Sequence, residues 1–153
     1  MHMLDIPSIS AIVAAVGVLI GVALTVLELR NITRTRQMDL IIRIRSMWLD
    51  KVCQSWLTIR KIEFKSYDDY EEKCLLEAHD VAVFFDSLGL LLHKGLVDIG
   101  LISQLFIVGR VWKKMQLFVE GARKTANEPR TYRHFEYLYN EWKKEEQKGV
   151  KSG

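Results

Sequence analysis

Between Asp5 and Glu28 lie 22 consecutive residues, Ile6 to Leu27, without a charged side chain. In a helix rising about 1.5 Å per residue the stretch is roughly 33 Å long, enough to cross a hydrocarbon core of about 30 Å. A backbone in lipid must satisfy its own hydrogen bonds, so a lone segment of this kind is helical there. A cleaved signal peptide would need a basic segment ahead of a shorter apolar core, followed by a small-residue cleavage site. No Lys or Arg precedes Arg30, and no such site closes the run. Length and flanks therefore favour a membrane span, residues 6–29, over a signal peptide or a buried core helix.

Charge orients the span. All 22 Lys and Arg follow the run, and Arg30, Arg34, Arg36, Arg43 and Arg45 fall close behind it. Lys and Arg within about 20 residues of a span mark its cytoplasmic side. The expectation is a plasma-membrane protein with residues 1–5 outside and everything from Arg30 onward in the cytoplasm. Asn31-Ile32-Thr33 matches a glycosylation acceptor, but on that side it would stay unmodified. Cys53 and Cys74 would sit in a reducing compartment and read as reduced, buried small hydrophobes.

The stretch "RNITRTRQMDLIIRIR" carries five arginines. Asp39 and apolar residues interrupt it and no aromatic platform accompanies it, so a nucleic-acid surface is disfavoured. Directly behind a span, Arg30, Arg34 and Arg36 suit a collar for anionic lipid head groups, worth about 1 kcal/mol each.

Beyond the span the apolar spacing is helical nearly throughout. Leu29, Ile32, Leu40, Ile44, Trp48, Val52, Trp56, Ile59 and Ile62 lie mostly three or four apart. They predict that the span continues into a long juxtamembrane helix over 30–65, with its stripe bare from Thr33 to Gln37. A helical domain over 66–147 follows, then a disordered tail over 148–153. Ser66 and Asp69 have the spacing of a capping box at the start of a second helix. That helix carries Cys74, Leu75, Ala78, Val81, Ala82, Phe85, Leu88 and Leu92 on one face, widened by Phe84, Leu90 and Leu91. His93, Lys94 and Gly95 close it, with cations near the last carbonyls and a glycine free to turn left-handed. Asp98 can cap a third helix facing inward through Ile102, Leu105, Phe106, Gly109, Trp112 and Val119, with Lys113 and Lys114 in water. Pro129 opens a fourth, whose face is Tyr132, Phe135, Leu138, Tyr139 and Trp142. No segment alternates with period two long enough to be a strand. The fold class is all-α: one N-terminal transmembrane helix, continuous with a cytoplasmic helix, then about three further helices in a bundle.

The runs "LGLLLHKGLVDIGLISQLF", "VWKKMQLFVEGARK" and "YRHFEYLYNEW" resemble a family of uncharacterised small single-span helical membrane proteins of bacteria and archaea, a domain of unknown function. The resemblance covers most of the chain and implies a span followed by a cytoplasmic helical domain. Its motifs are packing motifs, and it carries no activity over to any residue.

Chemistry-bearing patterns are sparse. His79 and His93 are fourteen apart without a paired ligand, and two cysteines without CxxC give no zinc pattern. Glu77 and Asp80 share a helix face, as solvated acids commonly do. The glycines form neither G-x-G-x-x-G nor G-x-x-x-x-G-K. No catalytic residue, metal or cofactor is expected.

Within the span, Gly17, Gly21 and Thr25 recur every four residues. In lipid, small residues let helix backbones approach, so this stripe is the expected contact of a homo-oligomer. Two functional readings follow. One is a single-pass, membrane-anchored helical module that self-associates and binds an unknown protein partner, without catalysis. The alternative is a small homo-oligomeric cation channel whose spans line a pore, with Glu28 at its inner mouth. Glu28 reads first as an interfacial residue reaching water or pairing with Arg30.

Overall fold

A computed structural model describes residues 6–151, with side chains for 14–33 and 35–149. The described residues fall into two compact units divided between Asp39 and Leu40. Among them every regular element is helical.

Helix α1 spans Ile6–Met47. In the first unit it is an isolated helix, and every described side chain from Ala14 to Thr33 is exposed. Its threonines turn their hydroxyls back onto the helix. Thr25 Oγ1 donates to the Gly21 carbonyl at 2.8 Å, Thr33 to Leu29 at 2.9 Å and Thr35 to Asn31 at 3.0 Å. A hydroxyl satisfied in this way needs no water or neighbour.

The second unit begins with the end of α1, continues through a π turn at Trp48–Val52 and closes its first arm with α2, Cys53–Ile59. The buried stripe here is Ile41, Ile44, Trp48, Val52, Trp56 and Ile59. Three successive steps of four, from Ile44 to Trp56, would swing a stripe by roughly 120° on a straight α-helix of 3.6 residues per turn. The wider π turn absorbs one residue and keeps all six side chains on one face. Trp48, at its start, packs against Phe84, Phe85 and Phe106 with ring centroids 5.3, 5.4 and 6.3 Å away.

Around this arm stand α3 (Asp68–Lys73), α4 (Leu75–His93), α5 (Ile99–Leu105), α6 (Val108–Thr125) and α7 (Arg133–Lys151). Helix α4 is central, as its broad apolar face predicts: Ala78, Val81, Ala82, Phe85 and Leu88 are buried. Phe85 lies between Trp48 and Phe135, 5.4 and 5.2 Å from their ring centres, and Trp112 meets Phe135 edge-on at 4.9 Å. Past the end of α4 the chain turns left-handed as expected at Gly95, whose φ is +69°. Helix α7 lies so close along α4 that a Cβ on Gly89 would stand 1.9 Å from the His134 carbonyl oxygen.

Several boundaries and faces differ from the sequence expectations, each for a local reason. The second expected helix is two: Cys74 leaves the helical region, with φ −165° and ψ 43°, and separates α3 from α4. The third is also two, because Phe106 adopts an extended backbone and drops its ring against Trp48 and Phe84. Asp98 does cap α5, accepting from the Gly100 and Leu101 N–H groups. Only half of the expected box at Ser66 forms. The Asp69 carboxylate accepts from the Lys65 and Ser66 N–H groups at 2.7 and 3.2 Å, but no Ser66 side chain caps the helix. Pro129 sits in a turn and not in the first turn of α7, which starts at Arg133. The helix instead takes its cap from α4: Asp86 Oδ1 accepts from the His134 and Phe135 N–H groups at 2.9 and 3.1 Å.

Leu29 and Ile32 are exposed and Ile41 takes the buried position that the stripe assigned to Leu40. Leu75 and Leu90 point outward from α4, and Cys53 is only half-buried. Lys114 lays its ammonium 5.2 Å over the Phe64 ring while Lys113 is exposed. Residues 148–151, read as tail, continue α7, where Lys144–Glu141 and Lys148–Glu145 pairs one turn apart support the helix.

Candidate functional site

Two places were singled out from the sequence, both on α1. Gly17, Gly21 and Thr25 are exposed, and a Cβ built on either glycine meets nothing within 4 Å. In a single chain this stripe is an open face of small residues. Glu28, Arg30 and Arg36 are exposed as well, and the Arg34 side chain lies outside the described residues. A furrow along Val26, Leu27, Leu29, Arg30, Asn31 and Thr33 is walled by that one helix alone.

The second unit holds a better-formed site that the sequence reading did not mark. A groove of about 500 Å³ runs between the first arm and α4, in the size range of small-molecule sites. The end of α1 and the π turn supply Leu40, Ile44, Met47, Lys51 and Val52 to one wall. The opposite wall is α4, through His79, Asp80, Val83, Phe84, Ser87, Leu88 and Leu91. Met47 and Val83 on the rims are 58% and 42% exposed, so apolar surface there faces solvent.

The two walls run antiparallel. Trp48 packs at a tilt against Phe84, and Ser55 Oγ donates to Asp80 Oδ2 at a long 3.5 Å. Leu40 therefore lies towards Leu91 at one end, and Lys51 lies with His79 and Asp80 at the other. His79 Nδ1 is 2.9 Å from the Tyr132 hydroxyl. Burial, with help from Tyr67 and Asp86, raises the pKa of that phenol, which keeps it protonated. Tyr132 holds φ at +54°, a left-handed conformation that costs a non-glycine residue of order 1 kcal/mol. Its ring contact with Phe118 (5.9 Å) and the bond to His79 hold it there.

His93 and His134 approach to 5.8 Å between ring centres, with Asp86 Oδ2 3.7 Å from His134 Nδ1. Among the described residues no group of three or more His, Cys, Asp or Glu is arranged to hold a metal ion. Glu77 and Asp80, one turn apart on α4, do not converge in a cleft as a pair: only Asp80 borders the groove. The signal that could have located the site is the run of three four-residue steps, Ile44-Trp48-Val52-Trp56. It marks a π turn, and π turns collect at functional sites.

Residues 11–142 match the model of a family described as a domain of unknown function (DUF4760). No curated protein and no solved structure matches the chain.

Proposed function

The chain belongs to the DUF4760 family, and from that premise we propose that it is a single-pass, membrane-anchored helical module that self-associates and binds a protein partner without catalysis. One observation carries the reading. The window of α1 long and apolar enough to cross a membrane has no buried residue, and its large apolar side chains from Val16 to Leu29 are between 45% and 69% exposed. A core helix of a water-soluble fold would be covered by its own chain. Here the apolar surface has no cover, and lipid is the solvent that suits it. The arginines that follow support, by the positive-inside rule, a cytoplasmic location for the packed helical unit and an N-terminus outside the plasma membrane. Arg30, Arg34 and Arg36 then form the head-group collar.

Self-association rests on the open stripe of Gly17, Gly21 and Thr25. Replacing both glycines with Ile should hold helices apart and shift the full chain towards monomer in lipid nanodiscs, as read by mass photometry. An unchanged oligomer would remove the stripe as the contact. Reproducible cation current through reconstituted protein, abolished by Glu28→Gln, would overturn the module reading in favour of a channel.

A further inference from the structure

We propose that the groove between the first arm and α4 binds one molecule of a single-chain zwitterionic amphiphile, an aminophospholipid bearing one acyl chain. The acyl chain lies along Ile44, Val83 and Leu88 towards Leu40 and Leu91. The anionic phosphate meets Lys51, and the ammonium meets Asp80.

The shape sets the chain. Leu40 and Lys51 stand eleven positions apart on the wall, about 16 Å of helix, and the lining residues between them, Ile44 and Met47, are apolar. Ser87 is the polar exception, and its hydroxyl is already donated to the Val83 carbonyl at 2.8 Å. An alkyl chain is thinner than a partner helix, which is about 10 Å across with its side chains, and so is the better match to a groove of about 500 Å³ that reaches Phe84 and Leu88.

The charges set the head. Polar capacity collects at the π-turn end, where Lys51, His79 and Asp80 border the groove. His79 Nδ1 is engaged by Tyr132. Lys51 and Asp80 take part in no ion pair among the described residues. One cation and one anion at the mouth of an apolar groove are complemented by a head that carries both signs. A purely anionic head would gain Lys51 and be repelled by Asp80, and a purely cationic head would meet the reverse. Supply of the ligand from the bilayer rests on the span proposed above.

The test uses the full chain in phosphatidylcholine nanodiscs with a lysophosphatidylethanolamine carrying a diazirine in mid-chain. After irradiation, adducts are mapped by peptide mass spectrometry. Adducts on residues 44–52 and 83–91 are expected. Lys51→Gln and Asp80→Asn should each weaken labelling about tenfold, the ratio for one lost charge-assisted hydrogen bond. Val83→Trp, or Met47→Trp should the first not fold, should block it by filling the groove while leaving the thermal melt in place. Adducts confined to residues 14–29 would overturn the site. Equal labelling by the lysophosphatidic acid or alkylamine counterpart would overturn the zwitterionic head. Flotation with the discs is read separately. A chain that fails to float removes the membrane reading, while groove adducts from the dispersed probe would still uphold the site.

Discussion

At the scale of single residues, the second unit depends on a few aromatic contacts that only a folded chain can make. Phe85 is fully buried and touches the rings of Trp48, Phe84 and Phe135. Phe85→Ala removes that ring from a site with little freedom to collapse and should cost about 3–5 kcal/mol, measured by urea unfolding. Lys113→Ala, exposed on α6, should cost under about 0.5 kcal/mol. Comparable losses from the two would mean that the inward faces are wrongly assigned. Both faces were legible in the sequence, because a buried phenylalanine and a wet lysine follow from helical period alone. Cys74 was legible too: it is buried, and burial first, then Glu77, raises its thiol pKa. Tyr132 was not, since its left-handed backbone is held by a hydrogen bond to a residue 53 positions away.

At the scale of elements, the interest lies in how helices begin, break and widen. The start of α7 is set by α4, through Asp86. Asp86→Ala should leave the first N–H groups of α7 unpartnered, costing about 1–2 kcal/mol, with the loss concentrated in amide exchange at His134 and Phe135. If exchange there is unchanged, the cap does not hold the helix. The π turn yields a different expectation. Removing Asp50, exposed within it, converts the spacing Ile44-Trp48-Val52-Trp56 from steps of four, four and four to steps of four, three and four. An ordinary α-helix satisfies that pattern, so the shortened chain should still fold, with a smaller loss of stability than Phe85→Ala. Complete unfolding would show that the wide turn is itself required. Helix-by-helix spacing predicted the number of long elements well. It missed the breaks at Cys74 and Phe106 because both side chains remain apolar and on period, while the backbone turns to reach the core.

For the whole molecule, the proposed topology has a direct check. A reporter fused at the C-terminus should read as cytoplasmic, and protease added outside intact cells should spare everything after Arg30. A reporter on the outside would reverse the orientation and make Asn31 a usable glycosylation site. What the sequence determined by itself is local and periodic: an uncharged run of membrane length, an all-helical second unit and the inward faces of its helices. Each of these follows from the solvation of neighbouring side chains, and no distant contact is needed to read it. Only the tertiary structure decided where Leu40 to Ile59 pack, why α7 starts at Arg133, how closely it approaches Gly89, and that two rims and a polar end form a groove. Those features are made by residues tens of positions apart, such as Trp48 with Phe84 or Asp86 with His134. Such pairs have no period to betray them, because their energy exists only once the chain has closed.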